Sequence, residues 1–118
     1  MPVNILVVND SEAERLIIQN TLSEHCIFTA RDVVEAVRIL EEHDEINLLI
    51  LDLALPDRNG FSLLESIRED ERFRKLRTII LTDYDELENE IIGLKLGAVD
   101  YIRKPIHCAS LKARIDVH

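Results

Sequence analysis

One alternation constrains this chain more than any other feature: short apolar runs recur between segments whose apolar residues fall at helical spacing. The runs are "VNILVV" (3–8), "CIFTA" (26–30), "NLLILD" (47–52), "TIILT" (78–82) and "VDYIR" (99–103). Each reads as a strand, the first as a buried one, the second as a short one and the third as one buried on both faces. Between them, "SEAERLIIQNTLSE" (11–24) opens with Ser11 as N-cap and Glu14 three residues on, a capping box, with Ala13, Leu16, Ile17 and Asn20 tracing one face. Val33, Ala36, Val37 and Leu40 predict a second helix over 32–43, and 61–70 a third. Leu87, Ile91 and Leu94 predict a fourth over 85–96, and 110–118 begins a fifth. Five strands alternating with five helices predict an α/β doubly wound parallel sheet, helices on both faces, with ligands at the carboxyl ends of the strands.

The bulk properties exclude several function classes. At 118 residues the chain reads as one domain, and no apolar run approaches the roughly 20 residues a membrane helix needs. The start "MPVNILVVND" lacks a basic region and a cleavage site, and Cys26 and Cys108 lack metal-ligand spacing, so the expectation is a cytoplasmic protein with reduced thiols. A formal charge of −9, with no basic stripe, argues against direct nucleic-acid binding by this segment. The mixed-sign stretch "ESIREDERFRKLR" (65–77) reads as the solvated end of a helix.

What stands at the strand ends is more telling. The first run ends in Asn9-Asp10, the third in Asp52, the fourth in Thr82-Asp83, and the fifth just before Lys104-Pro105. A doubly wound sheet brings Asp10, Asp52, Thr82 and Lys104 to one rim. Two neighbouring carboxylates repel unless a cation intervenes, and a hard ion such as Mg²⁺ prefers oxygen ligands. With Lys104 as a mobile cation and Thr82 as a hydroxyl donor, the set suits phosphoryl transfer onto a carboxylate.

The motifs "ILVVND", "LLILDLALPDRNGF", "IILT" and "GAVDYIRKP", in this order, resemble the receiver domain of bacterial two-component response regulators over essentially the whole chain, 1–118. That resemblance implies a flavodoxin-like sheet of order 2-1-3-4-5 and a phosphorelay signalling domain. In it, Asp52 accepts a phosphoryl group from a histidine kinase or phosphotransfer protein. It implies Mg²⁺ held by Asp10, Asp52 and the Ala54 backbone carbonyl, with Asn9 reaching the ion through water. Thr82 and Lys104 would contact the phosphoryl oxygens, the Lys104-Pro105 peptide would be cis, and Tyr101 would be the aromatic that swings with Thr82. The signalling face would be the fourth helix, fifth strand and fifth helix, through which dimerisation is an option. Such a domain is not an enzyme on external substrates, since it catalyses its own phosphorylation and dephosphorylation alone.

Two positions depart from the family pattern. Asn9 stands where an acid is usual, which predicts weaker Mg²⁺ binding, tightened by Asn9→Asp. Asp83 stands where a small residue is usual, which predicts slow phosphorylation by small donors and a longer-lived phosphoryl group. These departures leave an alternative open, a degenerate receiver acting as a phosphorylation-independent interaction module. Ala54, where phosphatases of this chemistry carry a second acid, disfavours an aspartyl-phosphate phosphatase. Asp57 reads as a turn residue of "PDRNG", the four histidines as scattered and exposed, and Gly60, Gly93 and Gly97 as turn and helix-end residues. The stop at His118 fits either a receiver cut from a longer protein with a C-terminal output domain or a single-domain regulator. Output, kinase, pathway and oligomeric state are not encoded in these motifs.

Overall fold

A computed structural model of the chain describes residues 2–55, 60–83 and 87–118. Five strands, β1 (Asn4–Val8), β2 (Cys26–Ala30), β3 (Leu48–Asp52), β4 (Arg77–Thr82) and β5 (Asp100–Arg103), form one sheet in the order β2-β1-β3-β4-β5. All neighbouring pairs are parallel. The connections are α1 (Glu12–Thr21), α2 (Val33–Glu42), α3 (Gly60–Glu69) followed by a 3₁₀ turn (Glu71–Phe73), and α4 (Leu87–Lys95). The chain closes with α5 (Cys108–Val117). Among the described residues, no helix is long and apolar enough to cross a membrane.

Strand side chains alternate between two cores. Leu6, Val8, Leu49, Leu51 and Ile80 face Val33, Ala36 and Leu40 of α2 and Leu63, Leu64 and Ile67 of α3. Ile5, Val7, Ile50, Ile79, Leu81 and Ile102 face Ile18 of α1 and Leu111 and Ile115 of α5. Consecutive apolar positions through the middle of β1, β3 and β4 are what a sheet covered on both sides requires. Removing one such side chain, Leu49 for example, forfeits about 2–5 kcal/mol.

The predicted elements all form, but two helix faces differ from the expectation. On α1, Ala13, Leu16, Ile17 and Asn20 lie exposed, while Ile18 is buried. The run Leu16-Ile17-Ile18 offers two overlapping apolar stripes, and the seam accepts the one continued by Leu22 beyond the helix end. On α4 the inversion is sharper. Leu87, Ile91 and Leu94 are 59%, 47% and 43% exposed, whereas Glu90 and Gly93 are buried. Gly93 is therefore no turn residue: a Cβ there would lie 2.4 Å from Ile80 Cδ1, so its absence lets the helix approach β4. His25, expected at the surface, accepts from the Val3 amide at 3.0 Å with its side chain largely buried.

Candidate functional site

The strand register assembles the rim. Val8 is level with Leu51 and Asp52 with Leu81, so the chain beyond β1, the end of β3 and Thr82 meet at the carboxyl edge. Gly60 is what lets α3 start hard against that edge. A Cβ there would stand 2.9 Å from Leu53 Cα and 3.0 Å from the Asp52 carbonyl oxygen.

Asp52 is only 2% exposed. Its Oδ2 accepts from Lys104 Nζ at 2.8 Å, and its Oδ1 accepts from the Ala54 amide at 3.0 Å. Lys104 is anchored by its own amide, which donates to the Thr82 carbonyl at 2.7 Å, and its peptide to Pro105 is cis. Burial pushes the Asp52 carboxyl above the ordinary carboxylate range, although Lys104 and the Ala54 amide oppose the shift. Burial alone would lower the Lys104 pKa. The hydrogen bond to Asp52 and the charges of Asp52 and Glu14 outweigh it, so Lys104 is raised and stays cationic.

At the end of β1, Asp10 is exposed and Asn9 fully buried. The Ser11 hydroxyl caps α1 as expected, accepting from the Glu14 amide at 3.2 Å. The other half of the capping box is rebuilt. The Ser11 amide donates to Asn9 Oδ1 at 2.8 Å, which releases the Glu14 carboxylate from that task. Glu14 Oε1 instead accepts from Asn9 Nδ2 at 2.9 Å and lies 3.4 Å from Lys104 Nζ. Glu14 is thus a site residue that its helix-cap spacing concealed.

On the neighbouring strand, the Thr82 hydroxyl donates to Glu90 Oε2 at 3.3 Å, and Thr82 and Glu90 are both buried. Arg103 holds Glu90 from β5 through Nε to Oε2 at 2.6 Å and Nη2 to Oε1 at 3.0 Å. Its guanidinium lies 5.7 Å from the centre of the Tyr101 ring, which is half-buried. Arg114 of α5 donates to Asp100 Oδ1 at 2.7 Å, and His118 Nε2 lies 3.2 Å from Asp100 Oδ2. Asp100 feels a burial penalty, yet the Tyr101 amide, Arg114 and His118 hold its carboxyl below the ordinary range.

The residues fit a hard divalent cation. The donors on hand are oxygens, the carboxylates of Asp10 and Asp52 and the Ala54 carbonyl, with Glu14 nearby. Among the described residues, Lys104 is the cation paired with both Asp52 and Glu14. Among the described residues no cluster of three or more His, Cys, Asp or Glu forms a ready-made metal cage. A site of two carboxylates, a carbonyl and waters does not need one. Asp83 is exposed beside Thr82, and Asp57, expected in the turn after β3, lies outside the described residues.

A five-stranded doubly wound parallel sheet of order β2-β1-β3-β4-β5, with a buried, lysine-paired aspartate at its carboxyl edge, defines a flavodoxin-like α/β fold, and comparison with known proteins narrows it. The response regulator receiver domain family matches residues 5–116. The chain is 35% identical over 118 residues to the chemotaxis protein CheY1 of Helicobacter pylori, covering 98% of this chain and 95% of that protein. It is 37% identical over 114 residues to the transcriptional regulatory protein GltR of Pseudomonas aeruginosa, covering 95% of this chain but 47% of GltR. The chemotaxis response regulator CheY4 of Vibrio cholerae superposes with a TM-score of 0.90 at 23% identity, over 99% of this chain and 98% of that one, a likeness of fold. This chain belongs to the response regulator receiver domain family.

Proposed function

We infer that the domain is a Mg²⁺-dependent phosphoacceptor, taking a phosphoryl group onto Asp52 from a histidine kinase or phosphotransfer protein of the cytoplasm. The observation that carries this is Asp52 itself: an acid raised in pKa by burial, kept at the rim by Lys104 at 2.8 Å. An Asp52 oxygen forms the new bond to phosphorus as the donor's phosphorus–nitrogen bond breaks and its electron pair returns to the imidazole. Bound Mg²⁺, held by Asp10, Asp52 and the Ala54 carbonyl with Asn9 through water, would supply neutralisation of the phosphoryl charge. Lys104, already cationic and mobile on its stem, pairs with the phosphoryl oxygens, and Thr82 turns its hydroxyl toward them. Tyr101 follows, and the face made by α4, β5 and α5 changes its partners. The same face is the route to an output domain or a second copy. Incubation with acetyl phosphate tests the reading. Labelling is expected with Mg²⁺ and none after chelation, whereas metal-independent labelling or none at all contradicts it.

A further inference from the structure

Glu90 is the buried acid that this chemistry leaves unused. It is 1% exposed on a helix whose apolar side chains, Leu87, Ile91 and Leu94, turn outward. A helix normally buries its apolar stripe, and a carboxylate is buried at a cost that only pairing offsets. Here the pairing is complete and directional. Arg103 grips both carboxylate oxygens, and Oε2 also accepts the hydroxyl of Thr82. The same guanidinium lies against Tyr101. One side chain of α4 therefore touches the switch hydroxyl directly and the switch aromatic through Arg103.

We propose that Glu90 is a positioning residue that holds the domain off: with Arg103 it fixes the Thr82 hydroxyl toward α4, and activation breaks that hydrogen bond. This rests on the phosphoacceptor reading above and adds to it a specific restraint. The Thr82 hydroxyl cannot serve Glu90 and a phosphoryl oxygen with its single proton, so the two states compete for one donor. When Thr82 leaves, Glu90 keeps Arg103, but the clamp loses its link to β4. α4, seated on β4 by Gly93 and this polar contact, is then free to shift. A two-state element biased from one hydroxyl needs no wider rearrangement.

Beryllofluoride, a phosphoryl mimic, tests this at saturating Mg²⁺, read by backbone amide NMR of the whole chain. Glu90→Leu removes the acceptor and keeps the bulk. It strands no buried charge, because the Arg103 side chain is 41% exposed and can turn to water. The expected result is half-saturation at roughly tenfold less beryllofluoride, the scale of one charge-assisted hydrogen bond lost from the off state. Amide exchange across 87–95 should also rise before any beryllofluoride is added. In a Thr82→Val background the same substitution should leave the midpoint unchanged, since the shared proton is gone. A purely structural role would leave the midpoint alone or raise it. An unchanged or higher midpoint in Glu90→Leu, or an equal drop in the Thr82→Val background, overturns the proposal. A parent that fails to respond to beryllofluoride overturns the phosphoacceptor reading and the switch with it.

Discussion

A glutamate three residues past a helix N-cap has an ordinary task, and Glu14 does not perform it. Asn9 serves the Ser11 amide in its place, and its Nδ2 directs the Glu14 carboxylate toward Lys104. The charge missing at position 9 therefore reappears from position 14, on the other side of an amide that can donate where an aspartate could not. Glu14→Gln is expected to weaken Mg²⁺ binding on the order of tenfold, by calorimetric titration, as one unit charge near a divalent ion is removed. Asn9→Asp should tighten binding in the parent, and further when combined with Glu14→Gln, because in the parent the new carboxylate would face Glu14 Oε1 across about the present 2.9 Å. Equal tightening in both backgrounds would contradict this account. The strand-end acids Asp10 and Asp52, with Lys104, were legible in the sequence because a strand's end is set by where its apolar run stops. Glu14 and Glu90 were not, since their roles depend on which side chain across the fold meets them.

At the scale of elements, periodicity predicted where helices lie better than which way they face. α4 satisfies a helical repeat at Leu87, Ile91 and Leu94, yet it docks through Glu90 and Gly93, because β4 and β5 present Thr82 and Arg103 at that point. Gly93→Ala sets a gain of about 1 kcal/mol in helix propensity against a clash with Ile80, which is fully buried. Overpacking of this kind costs about 1–3 kcal/mol, so urea denaturation is expected to show net destabilisation, with α4 amides exchanging faster. The junction of β5 and α5 rests on Asp100. Its folded pKa is depressed, so its contribution to stability is present above the ordinary aspartate pKa and is lost as pH falls through the folded value. Asp100→Asn should cost about 1 kcal/mol at neutral pH, and its denaturation midpoint should converge on the parent's in acid. A gap that persists or widens at low pH would refute the ionic origin.

Across the whole molecule, the sheet was the most legible feature. Three of its five strands, β1, β3 and β4, are apolar runs that a two-sided core demands, and their short connections make the sheet parallel, with a carboxyl edge that collects the polar residues. The order β2-β1-β3-β4-β5 came from the likeness of the motifs to receiver domains, because apolar runs do not say which neighbours pair. Receiver chemistry then hangs on one residue that this architecture buries and pairs. Mapping the phosphoryl group after acetyl phosphate and Mg²⁺ treatment, by reductive trapping and peptide mass spectrometry, tests that directly. The account predicts a single labelled peptide with the modification on Asp52, absent from Asp52→Asn; label on another residue, or label that survives Asp52→Asn, would contradict it.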